Sequence, residues 1–169
     1  MKRLFLFSVV AVFALFSCSG NKQQVETAAS AFEVDQLLTV AEQQVDETVT
    51  VVGYVTHTCK HSGKKCFIVG ESQNVSLRVE AQGEIETFSA DLVGSKLLIT
   101  GVLKEQHISE ETINELENSV KLLENQEGME EVCAAEMSNI NDMRQWMKDH
   151  GKDYYAMYYM DGLKYDVLD

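Results

Sequence analysis

The fold is decided by residues 48–58, which read TVTVVGYVTHT. β-Branched residues alternate along this stretch, so that two rows of side chains point to opposite faces, as in a β-strand. The first row contains Val49, Val51, Gly53 and Val55, and the second contains Thr50, Val52, Tyr54 and Thr56. A glycine in mid-strand indicates a bend or bulge, which small closed barrels need where a strand turns a corner. The stretch therefore predicts one long, bent strand.

A helix and shorter strands surround this long strand. Apolar residues at i, i+3, i+4 and i+7 within residues 33–44 predict a short amphipathic helix before it. Alternating apolar residues predict further strands over 66–70, 75–81 and 96–104, with a turn at 60–65 and an irregular or short helical link over 84–92. The order of helix, long strand, two short strands, link and strand predicts a mainly β domain.

The following segment, 106–169, begins with helical periodicity. A helical stripe is formed by Ile113, Leu116, Val120 and Leu123. Thr112 and Glu115 fit a capping box for this helix, and Ser138 predicts the start of a second helix that ends at Gly151. The pair Asp161-Gly162 lies between apolar runs at 154–160 and 163–168 and predicts a β-hairpin. A helical 154–160 is the alternative interpretation.

Four motifs carry a family resemblance. They are Val34-x-x-Leu37-Leu38, Val49-x-Val51-x-Gly53-x-Val55, Cys66-Phe67-Ile68 and Gly94-x-x-Leu97-x-Ile99-x-Gly101. In this order they resemble the OB-fold, and more narrowly the small OB-fold lipoproteins of Bacteroidetes-type bacteria in the tRNA-anticodon-binding-like group. The resemblance covers 32–105 and implies an α+β, mainly β class: an OB-like small β-barrel with flanking helices and a C-terminal helix plus β-hairpin. Since no strand follows Leu103 at once, we expect the acidic, aromatic extension 106–169 to pack on the barrel and its hairpin to close it.

The N-terminus resembles a bacterial lipoprotein signal peptide. A basic start precedes an apolar stretch over residues 4–16, which is shorter than a membrane span. The tetrapeptide Leu15-Phe16-Ser17-Cys18 resembles the lipobox, which implies a signal peptide over 1–17 and palmitate or a similar acyl chain on Cys18. Residues 18–31 then form a lipidated tether, and Ser19 is typical of lipoproteins sent to the outer membrane. The resemblance implies a cell-envelope protein, lipid-anchored in the outer membrane and facing the periplasm.

Composition and motifs narrow the functional classes. The 14 Lys and Arg residues stand against 27 Asp and Glu residues, and the formal net charge of −13 repels a phosphate backbone. The sequence thus argues against nucleic-acid binding. It contains no G-x-S-x-G, P-loop, H-E-x-x-H or G-x-G-x-x-G motif. We therefore predict a binding protein that is not an enzyme and needs no cofactor.

The stretch 57–66, HTCKHSGKKC, concentrates reactive side chains and leaves three hypotheses open. In the first, His57 and Cys59 continue the Val55 row, and Cys59 forms a structural disulfide with Cys66 in an oxidising periplasm. In the second, zinc or copper is bound by His57, Cys59, His61 and Cys66. In the third, the nearby lysines stabilise the thiolates of a redox-active pair.

A ligand-binding face is expected on the second and third strands and on the loop between the first two strands, because OB-folds bind ligands there. The candidate residues are Lys60, Lys64, Lys65, Phe67, Arg78, Tyr155 and Tyr159. An anion, a glycan or an acidic segment of an envelope protein is the expected partner, beside the membrane that holds the lipid. The leading hypothesis is a lipid-anchored, non-catalytic binding or assembly module. The alternative is a metal-binding or thiol-redox envelope factor using the Cys59/Cys66 loop.

Overall fold

A computed structural model describes residues 31–124 and 126–168. The strands are β1 (Phe32–Glu33), β2 (Thr48–Thr58), β3 (Lys65–Val69), β4 (Ser76–Ala81), β5 (Lys96–Ser109) and β6 (Tyr154–Leu168). The helices are α1 (Val34–Thr39), α2 (Ala41–Gln44), α3 (Glu110–Leu123) and α4 (Glu130–His150), with a 3₁₀ turn over Ala90–Leu92. The predicted signal peptide 1–17, Cys18 and the tether as far as residue 30 lie outside the described residues.

A closed five-stranded barrel lies at the centre of the molecule. Its strands follow the order β2-β3-β4-β6-β5, and β5 pairs back with β2 to close the wall. β4 and β6 run parallel, whereas the other neighbouring strands of the barrel are antiparallel. β1 lies outside the barrel and runs parallel to β2. The predicted α+β, mainly β, OB-like class is confirmed.

One apolar core fills the barrel. The inward residues that are fully buried include Val51, Val55, Ile68, Leu77, Val79, Leu97, Ile99, Leu103 and Met160. Helix α1 covers the barrel with Val34 and Leu37, which are both buried in the same cluster. The apolar row of β2 that alternation predicts as one face of the strand is therefore the row that faces the core.

The C-terminal segment is one long strand and not a hairpin. β6 runs unbroken through Asp161-Gly162, the pair that predicts a turn. Gly162 lies opposite Gly101 of β5, and a Cβ atom on Gly162 would come within 2.6 Å of Val79 Cγ1. The glycine thus permits close packing in the barrel wall, and the hairpin prediction is wrong. The expected closure by the C-terminal segment is confirmed, so the barrel extends beyond 32–105 and α3 and α4 are inserted before its last strand.

The helix boundaries follow capping chemistry, with two corrections. The capping box predicted at Thr112 and Glu115 does not start helix α3, because Thr112 lies inside the helix and Ser109 is the capping residue. Helix α3 begins after Ser109, whose hydroxyl accepts a hydrogen bond from the backbone N–H of Thr112. Helix α4 begins at Glu130, so that Ser138 lies inside the helix and does not start it. It ends as predicted at Gly151, which adopts a left-handed conformation with φ of 62°. The helix predicted over 33–44 is present as the two short helices α1 and α2.

Helices α3 and α4 form a hairpin with a small core of its own. That core consists of Ile113, Val120, Cys133, Ile140 and Met147. Ile108 of β5 and Tyr155 of β6 pack against it, which places the helical hairpin on the ends of β5 and β6 that extend past the barrel. No helix in 31–124 or 126–168 combines the length and the apolar character that a membrane span requires.

Candidate functional site

A β-bulge in β2 decides where the reactive residues of the β2–β3 loop point. Val55 pairs with Ile68, but the next paired residue is His57, so Thr56 is the extra residue of the bulge. The extra residue inverts the alternation of side chains along the strand. Thr58 is consequently buried, while His57 is exposed on the outer surface. The prediction that His57 and Cys59 continue the inward row is wrong for this reason.

Cys59 lies just past the end of β2 and is half-buried, Cys66 on β3 is fully buried, and the two are not bonded to each other. The direct partner of Cys66 is Thr58, and the Cys66 thiol lies in the barrel core, where burial raises its pKa to about 12. The Ser62 hydroxyl donates to Cys59 Sγ at 3.3 Å, and this bond, helped by backbone N–H groups, lowers the pKa of Cys59. The predicted disulfide is therefore absent, and an outward thiol beside an inert core thiol does not form a redox pair.

The four candidate metal ligands do not converge either. The His57 ring lies against Phe67, with 5.9 Å between ring centres, and His61 is exposed in the turn, while Cys66 faces the core. Throughout 31–124 and 126–168, no group of three or more His, Cys, Asp and Glu residues is arranged to hold a metal ion. The structure thus does not bring together His57, Cys59, His61 and Cys66, the ligands of the alternative zinc or copper hypothesis.

A row of aromatic and basic side chains crosses the outer face of the barrel. It runs through His57 on β2, Phe67 on β3, Arg78 on β4 and Tyr159 on β6, each paired directly with the next. With about 4.8 Å between neighbouring strands, this outer row spans about 14 Å. Three of the predicted ligand residues, Phe67, Arg78 and Tyr159, therefore lie side by side.

Arg78 is the central charged group of the outer row. Its guanidinium carbon lies 4.8 Å from the centre of the Tyr159 ring, in a cation–π contact. Nε lies 3.1 Å from Glu80 Oε1 without the direction of a hydrogen bond, and Nη2 donates to Gln106 Oε1 at 3.5 Å, the limit for such a bond. The Arg78 side chain keeps 22% of its surface exposed. The guanidinium is thus fixed in place, yet most of its five donors have no acceptor in the described part of the chain.

The three predicted lysines lie to one side of the outer row, in the β2–β3 loop and at the start of β3. Lys65 forms an ion pair with Glu80 at 3.5 Å, and Lys64 Nζ donates to the backbone carbonyl of Glu86 at 2.7 Å. Lys60 is exposed in the turn and forms no ion pair with any residue that the structure describes. The lysines add positive charge beside the row but do not converge on Arg78.

Tyr155 lies on the other side of the outer row, four residues before Tyr159 on β6, where it packs against the helical hairpin. Its ring packs edge-on against Trp146 of α4, with 5.4 Å between ring centres. Burial, with a smaller effect of the Asp142 carboxylate, raises the pKa of Tyr155. Tyr155 therefore belongs to the packing of the hairpin on β6, and it is not brought together with Arg78.

No protein-family model matches this chain, and no curated protein matches it. Function is therefore inferred from the arrangement of the residues themselves.

Two residues that border the predicted ligand residues were not predicted to bind a partner: His57, which was predicted only as a metal ligand, lies beside Phe67, and Gln106 contacts Arg78. His57 reaches the outer face only because of the bulge at Thr56, which alternation alone does not reveal. Gln106 lies on the part of β5 that extends past the barrel, opposite Met157 of β6. The position of Gln106 beside Arg78 could have been predicted only by recognising that 154–168 is the partner strand of 96–109.

Proposed function

We propose that this protein is a lipid-anchored binding or assembly module of the cell envelope. Cys18 attaches it to the outer membrane, and the outer row of the barrel holds a partner in the periplasm. The observation that carries the proposal is the fixed, incompletely hydrogen-bonded guanidinium of Arg78 against Tyr159. Buried polar groups in native proteins are rarely left without partners, and a bound acceptor can replace water at the exposed donors of Arg78. The row also occupies the face through which OB-folds bind their ligands.

The chemistry of the outer row indicates what the partner carries. A guanidinium recognises carboxylate groups through paired, charge-assisted hydrogen bonds. The flanking rings of Phe67 and Tyr159 offer flat apolar surface to a sugar or an apolar side chain. An acidic segment of an envelope protein or an anionic glycan meets both requirements. Nucleic acid is disfavoured by Glu80 and Asp161, which form the next outward-facing pair on the same strands, and by the net charge of −13.

The protein is proposed to bind a partner and not to catalyse a reaction. The metal- and thiol-dependent alternative needs Cys59 and Cys66 on one face, and the bulge in β2 separates them. Within the outer row, the His57 ring packs against Phe67, and Arg78 contacts Tyr159, Glu80 and Gln106. These contacts fix a recognition surface.

Arg78→Ala is expected to weaken binding of an acidic probe about tenfold or more, since a hydrogen bond to a charged group is worth about 1.5–3 kcal/mol. The probes are a fluorescent hexaglutamate peptide and a fluorescent hexasaccharide containing glucuronate, and fluorescence anisotropy gives each Kd. Lys164→Ala is the matched control, because it removes a positive charge from an exposed position of β6 outside the row. Equal Kd values for the Arg78→Ala variant and the unmodified chain, or no binding of either probe, would contradict the proposal.

Cys18→Ala is expected to abolish incorporation of palmitate, because the acyl chains of a bacterial lipoprotein are attached to the lipobox cysteine. The full chain is produced in a bacterium fed an alkyne analogue of palmitate, and the labelled protein is detected after gel separation. Cys133→Ala is the control variant, since Cys133 is buried in the helical hairpin. Label that persists in the Cys18→Ala variant would rule out the predicted anchor.

A further inference from the structure

β6 has an unpaired edge where it extends past the barrel. β4 pairs with β6 only from Arg78–Tyr159 to Ala81–Gly162, whereas β5 pairs with β6 from Tyr154 onward. Within the described chain, residues 154–158 are therefore paired with a strand on one side only. On the other side, alternate residues present backbone N–H and C=O groups that an added strand can bond.

A cleft of about 540 Å³ runs along this edge. Four consecutive residues of β6, Tyr155, Ala156, Met157 and Tyr158, line it. Because successive side chains of a strand point to opposite faces, a single cleft contacts four in a row only if it lies against the edge of the strand. The remaining walls come from Leu38 of α1, residues 74–76 at the start of β4 and just before it, and Asn139 and Trp146 of α4. The edge of β6 is thus the floor of a slot between two helices.

We propose that this slot binds an extended segment of a partner protein, which adds a strand to β6 along residues 154–158. Strand addition of this kind gains affinity from backbone hydrogen bonds and specificity from pockets for alternate side chains. Five residues at about 3.3 Å each give about 17 Å of edge, which limits the added strand to about five residues. The slot is distinct from the outer row at Arg78, so this interaction goes beyond the proposed function.

The walls of the slot indicate the composition of the segment. Leu38 and Trp146 offer apolar surface for one of its side chains. A second cleft shares Asn139, Trp146 and Tyr155 with the slot and adds the carboxylates of Glu136 and Asp142. Neither carboxylate is in an ion pair with a residue of the described chain. The segment that fits best therefore alternates apolar residues with lysine or arginine.

The test uses the full chain, produced in a bacterial envelope and extracted in mild detergent. The probe is a blocked seven-residue peptide of alternating lysine and valine, and its matched control has glutamate in place of lysine. Saturable binding of the lysine peptide is expected, with backbone hydrogen exchange of residues 154–158 slowed about tenfold or more. The glutamate peptide is expected to leave exchange at 154–158 unchanged.

Two tryptophan variants on α4 separate the slot from the rest of the surface. Asn139→Trp fills the slot and is expected to raise the Kd of the lysine peptide about tenfold or more, because bound side chains lose their space. Asn141→Trp adds the same ring two residues away, outside both clefts, and is expected to leave the Kd unchanged. The proposal is overturned if the lysine peptide does not bind, if Asn139→Trp has no effect, or if the glutamate peptide binds equally well. It is also overturned if residues 154–158 are protected only by association of two copies of the chain.

Discussion

Replacing Gly101 by valine is expected to lower the free energy of unfolding by about 3 kcal/mol or more, because forced overpacking of a core costs about 1–3 kcal/mol and a backbone clash adds to it. A Cβ atom at this position would come within 2.4 Å of the carbonyl oxygen of Asp161 and 2.7 Å of Met160 Cγ. The oxygen belongs to the backbone of β6 and cannot rotate away. Gly101 is paired with Val49 of β2 on one side and with Gly162 of β6 on the other, so β5 has little freedom to move away. Urea unfolding measures the change.

The neighbouring position of β5 provides the control for this substitution. Val102→Thr keeps the shape of a half-buried side chain, and a change within about 1 kcal/mol is expected. Gly101→Ala is expected to lie between the two, since it adds the clashing Cβ atom but no further methyl groups. An unfolding midpoint of Gly101→Val equal to that of the unmodified chain would mean that β5 and β6 do not approach as closely as described.

Replacing Ile140 by alanine is expected to destabilise the helical hairpin by about 2–5 kcal/mol while leaving the barrel folded. Ile140 is 2% exposed and lies in the small core of α3 and α4, which is separate from the core of the barrel. Regions with separate cores open independently when one of them is weakened. Hydrogen exchange is therefore expected to accelerate across residues 110–150, and protection across β2, β3 and β4 is expected to persist.

Leu116→Ala is the matched control for the hairpin. Leu116 is on α3 and is 43% exposed, so its truncation removes little buried surface, and a change within about 1 kcal/mol is expected. If Ile140→Ala accelerates exchange in the barrel as much as in the helices, the two cores unfold as one cooperative unit. Because Asn139 and Trp146 form one wall of the slot beside β6, opening of the hairpin is also expected to remove that slot.

Local chemistry made several elements predictable from the sequence. The apolar row of Val51 and Val55 faces the core because alternation over 48–58 leaves one continuous apolar face. Gly151 ends α4 because a left-handed residue after the last turn favours glycine. The sequence also predicts three ligand-binding residues that prove to be neighbours, namely Phe67, Arg78 and Tyr159. Their adjacency was not predictable, because it depends on strand pairing between distant segments.

The features that the sequence did not predict depend on contacts between residues that are distant in the sequence. A bulge at Thr56 has no local signature in the sequence, yet it turns Cys59 outward and so removes the disulfide, the metal site and the redox pair together. Asp161-Gly162 has the composition of a hairpin turn, but Gly162 lies against Val79 and opposite Gly101 in the barrel wall. In both cases the deciding contact is with another strand, so the local sequence pattern does not reveal it.

The late position of β6 in the chain determines the order in which this protein can fold. β6 pairs with β4 at Arg78 and Tyr159, which are about eighty positions apart in the sequence, and it also pairs with β5. A chain emerges amino end first from a ribosome or an export channel, so β2 to β5 can form before β6 is present. At that stage β4 and β5 each have an open edge, because β6 pairs with both of them. Such edges pair readily with other chains, and long-range pairing is slow. Until residues 154–168 arrive, the edges of β4 and β5 that later pair with β6 are therefore open to pairing with other chains.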